Sequence, residues 1–218
     1  MSGLQSFYFR DVGHTQYLAY GADNNFIDIT RTGTISSARG YNGYQSIPLG
    51  FTYNYYGRNI SSVYVTTNGH LNLDGSRDNS NRALPSTAEP RAMIAPYWDY
   101  FYNYNNTTYG SRRIQYQTIG SAPNRTFIVQ WQNLRFRSYS DTLLSFQVRI
   151  HESDRTMEFA YGGMLSGRAY SISRRQYTSG GITGVAIQNY NRNAGITIGN
   201  DDEGVALSGS WFVFTPTF

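Results

Sequence analysis

From the middle of the chain onward, apolar and polar residues alternate with a period of two. Phe127, Val129 and Trp131 share one phase, and Ile128, Gln130 and Gln132 the other. Leu144, Phe146, Val148 and Ile150 alternate in the same way with Ser145, Gln147, Arg149 and His151, and Met157, Phe159 and Tyr161 continue the pattern. This period puts successive side chains on opposite faces of a strand. It predicts antiparallel strands with one face on a core and the other in water. Residues 152–156 (ESDRT) predict a compact hairpin connection between two of them, and residues 120–126 (GSAPNRT) link two others.

Further strands are predicted at residues 6–10, 26–30, 47–53, 62–67, 92–98, 184–188 and 211–215. No stretch of ten or more residues carries a capped 3.6 period. The pattern therefore reads as all-β: a single antiparallel two-sheet β-sandwich, jelly-roll-like, with long polar loops. One domain over 1–218 is expected, with 1–45 as N-terminal strands and lead-in. Val65, Phe127, Trp131, Phe146, Val148 and Phe159 are expected in its core. The main loops are 74–90, 103–111, 166–180 and 189–204, and the first two should be exposed and tolerant of substitution.

The stretch IAPYWDYFYNYNN, residues 94–106, carries six aromatic residues between Tyr97 and Tyr104. Ile94, Pro96 and Trp98 share a strand phase that aims Trp98 at the core. From Tyr100 the pattern breaks into Tyr/Asn alternation that enters the polar loop. Tyr and Asn suit recognition of sugars and polymer surfaces, because a flat ring stacks on C–H faces while amides and hydroxyls bond to hydroxyl groups. The plainer alternative is a tyrosine-rich loop folded over a sheet edge.

Composition sharpens this picture. Hydrophobic residues are 39% of the chain, but 20 Tyr and 12 Phe supply enough apolar area for a packed core. Charged residues are only 15% and Gly numbers 22, which suits a turn-rich β protein. All 18 basic residues are Arg, for a formal charge of +4. Arg, Tyr, Trp and Phe are enriched at protein interfaces and Lys is depleted, so the composition also fits a surface built for contact. With no Cys, disulfide and thiol chemistry are excluded. No apolar run approaches the ~20 residues that span a bilayer, and no membrane insertion is expected. Residues 1–6 show no basic segment followed by an apolar run, so no leader is expected in the chain as given, a leader already removed being the alternative.

The block SIPLGFTYNYYGRNISSVYVTTNGHLNL, residues 46–73, resembles one common in bacterial secreted and cell-surface proteins. There a Pro-(Leu/Ile)-Gly-Phe strand is followed by Ser-Val-Tyr-Val-Ser-x-Asn-Gly. MIAPYWDYF resembles the Ile-Ala-Pro-Phe-Trp-Asp-Asp that comes next, and 114–133, 144–162, GITGVAIQNYNRNAG and GSWFVFTPTF resemble the later strands. The likeness runs from about residue 47 to 218 and is distantly similar to the extracellular domain of nidogen-type proteins. It implies an extracellular, non-catalytic β-sandwich of adhesion type, secreted or on the cell surface. Where that pattern has a second acidic residue after Trp-Asp, this chain has Tyr100.

No catalytic residue is assigned. His14, His70 and His151 are scattered and lie in no nucleophile, zinc or phosphate-loop pattern. Asp74, Asp78 and Asp99 are the carboxylates a polysaccharide hydrolase would use, but the spacing that glycoside hydrolysis needs is not readable from sequence. No cofactor is expected apart from calcium, for which Asp74 and Asp78 of DGSRDNSN are the candidate ligands. The plainer reading there is an acidic turn that satisfies its own backbone amides, and the same holds for NDDEG at 200–204. Arginines are too dispersed for nucleic acid to be an expected partner. The expected function is binding of a glycan or other surface polymer through Tyr100, Tyr102, Tyr104 and Asn105, with Arg112 and Arg113 beyond the loop. The alternative is a structural subunit, a homo-oligomer or part of a filament, extracellular matrix or virion surface. Asn59, Asn106 and Asn124 head Asn-x-Ser/Thr sequences.

Overall fold

A computed structural model describes residues 5–11, 14–20, 26–75, 84, 86–88, 90–102, 113–136, 143–162, 184–188, 190, 195–200 and 211–215. Fifteen strands and no helix are found among them. In chain order they are β1 (Gln5–Asp11), β2 (His14–Tyr20), β3 (Thr34–Ile35), β4 (Tyr44–Tyr55), β5 (Arg58–Thr66), β6 (Leu71–Asn72), β7 (Met93–Trp98), β8 (Phe101–Tyr102), β9 (Arg113–Ile119), β10 (Thr126–Phe136), β11 (Leu143–His151), β12 (Met157–Tyr161), β13 (Gly184–Gln188), β14 (Gly195–Asn200) and β15 (Trp211–Phe214).

Two antiparallel sheets make the sandwich. One runs β14-β13-β7-β6-β5-β4, and the other β15-β12-β11-β10-β9-β3, with β8 also pairing β10. β1 and β2 form a separate hairpin. The inner phase of β10 and β11, with Phe127, Val129, Trp131, Phe146 and Val148, is buried as the pattern predicts, but the phase expected in water is buried too at Ile128, Gln130, Gln147 and Arg149. Phe159 and Val65 join them in one apolar cluster that draws on both sheets and extends in sequence from Ala38 to Phe214. Phe146 lies at its centre, stacked on Trp131 at 5.1 Å and packed against Tyr97 and Phe101.

Polar side chains also tie the sheets together. Trp131 Nε1 donates to Thr66 O of the facing sheet at 2.9 Å, and Tyr161 OH donates to Pro96 O at 2.5 Å. β4 leaves its partner β5 between Pro48 and Tyr53. The carbonyls freed there turn to the other sheet: Thr118 Oγ1 donates to Leu49 O at 2.8 Å, and Arg125 Nη1 donates to Gly50 O. Buried backbone groups must find partners somewhere, and here side chains of β9 and of the turn before β10 supply them.

Several expectations are corrected. Residues 26–30 are not a strand. They cross the outer face of three strands whose buried glutamines form a transverse row, Gln115 opposite Gln130 on β9 and β10 and Gln130 opposite Gln147 on β10 and β11. Ile29 N donates to Gln130 Oε1 at 2.9 Å, Ile27 N donates to Gln147 Oε1 at 3.2 Å, and Gln115 Nε2 donates to Thr30 O at 3.0 Å. Side-chain amides thus replace the ladder that a neighbouring strand would have offered.

Trp98 is buried, but not on the phase of Ile94. Between Ala95 and Trp98, β7 takes three steps while β13 takes two, from Ala186 to Gly184. The bulge falls at Pro96, a residue with no N–H to lose. It returns Tyr97 to the inner core beside Ile94. Trp98 goes instead into a second cluster with Met93, Ala95, Ala186 and Leu84. Leu84 and Pro90 are therefore buried within the segment 74–90 that was expected to be exposed. The expected loop 189–204 contains β14. The loops 103–111 and 166–180 lie outside the described residues.

Candidate ligand-binding site

Three short turns interlock at one end of the sandwich. The first joins β3 to β4 through Tyr41, Asn42 and Gly43, the second joins β5 to β6 through residues 67–70, and the third follows β7 at Asp99 and Tyr100. Thr67 N donates to Gly43 O at 2.8 Å, Gly43 N donates to Thr67 Oγ1 at 2.9 Å, and Asn68 Nδ2 donates to Asn42 Oδ1 at 2.8 Å. The second turn binds the third: Asp99 N donates to Asn68 O at 3.1 Å and Tyr97 N to Gly69 O at 3.3 Å. Asp99 Oδ1 accepts from Tyr100 N at 2.6 Å.

This stitching brings Tyr41 alongside Tyr100, with ring centroids 6.3 Å apart and planes within 12° of parallel. A second pair, Tyr44 and Tyr64, stands 6.3 Å apart on β4 and β5 at a 52° tilt. Tyr41 is 40% exposed and Tyr44 39%, among the few large hydrophobic side chains so open to solvent in the described residues. The pairs offer apolar ring area edged by hydroxyls on a rigid, hydrogen-bonded base.

The polar residues beneath are structural. Thr66, Thr67, Asn68, His70, Asn72 and Asp99 are all buried. Burial pushes the His70 pKa down to about 3, so its ring is neutral. Thr66 Oγ1 donates to His70 O at 2.9 Å and lies 3.1 Å from His70 Nδ1. The imidazole packs on Trp98 at 5.4 Å.

Of the residues expected to bind ligand, the structure places Tyr100 in this end, half-buried, while Tyr102 is in β8 opposite Arg135. Arg113 of β9 pairs with Gln132 of β10, in the phase of Gln115 that faces away from the core. Tyr104, Asn105 and Arg112 lie outside the described residues. Tyr41, Tyr44 and Tyr64 were not among the expected residues. The signal for the first two is the short motif YNGY, 41–44, whose Asn-Gly turn holds a Tyr on each side.

For the candidate calcium ligands, Asp78 lies outside the described residues. Asp74 Oδ2 accepts from Arg91 N at 2.8 Å, and Asp74 N donates to Asn72 Oδ1 at 2.9 Å. Among the described residues, no three His, Asp or Glu side chains gather in a way that would hold a metal ion.

The comparison with known families decides the lineage. Residues 16–216 match the family described as NIDO related. The chain belongs to the nidogen-related family. Domains of this family are generally extracellular and typically non-enzymatic modules. No curated protein and no solved structure matches the chain.

Proposed function

We propose that this nidogen-related chain is a non-catalytic extracellular binding module of adhesion type. It grips a glycan, or another hydroxyl-rich surface polymer, with the tyrosine end of its sandwich. The observation that carries the reading is the near-parallel Tyr41–Tyr100 pair, with Tyr41 open to solvent and Tyr100 half-buried, set on interlocked turns. Pre-ordered rings lose little entropy on stacking against a sugar face, and their hydroxyls bond to sugar hydroxyls without a charge being desolvated. Tyr44 and Tyr64 extend the surface, and Tyr102, Tyr104 and Asn105 continue it in sequence.

A glycan array and sedimentation with insoluble polysaccharide test the proposal. Binding is expected for the native chain and a loss of tenfold or more for Tyr41→Ala/Tyr100→Ala with unchanged circular dichroism. Unchanged binding in that variant overturns the site. The Lys-free, Arg- and Tyr-rich composition supports a second reading as a subunit that packs against copies of itself. A salt-resistant oligomer in light scattering that ignores every glycan would replace the first reading with that one.

A further inference from the structure

The segment that crosses the glutamine row brings together a hydroxyl, a carboxylate and a carboxamide. Thr30 Oγ1 donates to Asp28 Oδ1. Gln130 Nε2 lies 3.0 Å from Thr30 Oγ1 and 3.0 Å from Asp28 Oδ1. The oxygen of the same carboxamide, Gln130 Oε1, accepts two N–H groups, from Ile29 N at 2.9 Å and from Gln147 Nε2 at 2.7 Å. Gln130 and Gln147 are completely buried. We propose that Thr30 and Gln130 condense into an intramolecular ester, with release of ammonia, that ties the segment before β3 covalently to β10.

The groups have the roles of an acyl transfer. Asp28 takes the hydroxyl proton as Thr30 Oγ1 attacks Gln130 Cδ and the C–O bond forms. The carbonyl electron pair moves onto Oε1, where the N–H groups of Ile29 and Gln147 stabilise the developing charge. The pair then returns, the Cδ–Nε2 bond breaks, and Asp28 passes its proton to the departing nitrogen. One C–O bond replaces one C–N bond, ammonia carries the extra hydrogen away, and nothing is oxidised or reduced. Desolvation pushes the Asp28 carboxyl up, but hydrogen bonds from Thr30 and Gln130 outweigh it and hold its pKa below the ordinary value. It is thus in the basic form at neutral pH. An amide is a poor electrophile, and what the site sets against that is the hydroxyl held 3.0 Å from Nε2 and the two N–H groups held on Oε1.

The neighbouring pair provides a contrast. Thr32 Oγ1 donates to Gln117 Oε1 at 2.7 Å, so its proton sits on the carbonyl oxygen rather than on a carboxylate. The proposal fits the composition as well. Without Cys the chain cannot form disulfides, and without Lys it cannot join a side-chain amine to a carboxyl or amide. A Thr–Gln ester is a covalent tie still open to it, and it would close a long loop, where a cross-link constrains the unfolded chain most.

Intact mass of the purified full chain, kept at neutral pH, is the first measurement. It should fall short of the sequence mass by one ammonia, and tryptic digestion should yield peptide 11–31 joined to peptide 126–135. Hydroxylamine should separate the two. Thr30→Ala and Asp28→Asn should restore the full mass, Thr30→Ser should keep the link, and Thr32→Ala should leave it untouched. A folded native chain of full mass overturns the proposal. So does an ammonia loss that persists in Thr30→Ala, which would place it at another residue. The native peptide map decides the matter even if a variant does not fold.

Discussion

Residue 69 has a backbone φ of +76°, and a Cβ there would lie 2.0 Å from Tyr97 O and 2.9 Å from Phe101 Cε2. Glycine is required twice over, once by the left-handed backbone and once by Tyr97 of β7 and Phe101 of β8 passing over it. Gly57, in the turn between β4 and β5, has a similar φ of +79° but nothing within 4 Å of the added carbon. The two sites separate conformational from steric cost. Gly57→Ala should lower stability by about 1–2 kcal/mol, the left-handed penalty alone. Gly69→Ala should lose about 3 kcal/mol or more, because backbone and ring must both shift. It should also unseat Tyr100 from Tyr41, which links this residue to the proposed binding end. Urea midpoints for the two variants check the ranking, and equal losses would show that the crossing at Tyr97 yields easily.

Elements whose hydrogen bonds run along a ladder were legible in the sequence, and those held by side chains were not. β10, β11 and β12 each carry an apolar phase that their pattern alone assigns to the core, whereas the burial of Ile128, Gln130, Gln147 and Arg149 on the opposite phase was not legible. Residues 26–30 have an equally strand-like sequence, yet their backbone partners are Gln115, Gln130 and Gln147, more than 80 residues away. No local pattern announces such an acceptor. Likewise Pro96 resets the phase of β7, so that both faces are buried and the period carries no information about which way Trp98 turns. The tyrosine end was half legible: Tyr100 belongs to a conspicuous aromatic run, whereas its partner Tyr41 lies in the polar lead-in and is joined to it only by tertiary turns.

One such side-chain closure gives a pH prediction for the sandwich edge. Arg125 Nε donates to Glu152 Oε2 at 2.7 Å and Nη2 to Oε1 at 2.5 Å, while Nη1 reaches Gly50 O on β4. These bonds from Arg125 hold the Glu152 carboxyl below its ordinary value of 4.5. A carboxylate with a depressed folded pKa contributes stability that is complete above its unfolded pKa and is lost as pH falls through the folded one. The Tm difference between the native chain and Arg125→Ala should therefore be widest near neutrality. It should narrow in acid without vanishing, because the bond to Gly50 O does not titrate. A difference that stays constant from pH 7 down through the carboxyl range would rule out the ion pair as its source.

At the scale of the molecule, both sheets share one apolar cluster, so damage at its centre should be felt by every strand that lines it. Phe146 touches Trp131 of its own sheet, Tyr97 of the facing one and Phe101 of β8. Truncation to Ala removes a ring from a site with no exposed side to collapse from, and the expected loss is about 3–5 kcal/mol. Phe127→Ala, on the neighbouring strand of the same face, should cost a similar amount. The three tryptophans report from different places: Trp131 in the shared cluster, Trp98 under Leu84 on the outer face of the other sheet, and Trp211 at the edge strand β15. If the chain is one cooperative domain, Phe146→Ala should move the fluorescence and far-ultraviolet circular dichroism transitions together, with their midpoints coincident. A split in which circular dichroism shifts while Trp98 fluorescence holds its native midpoint would mean that the six-stranded sheet and its outer cluster unfold as a separate unit.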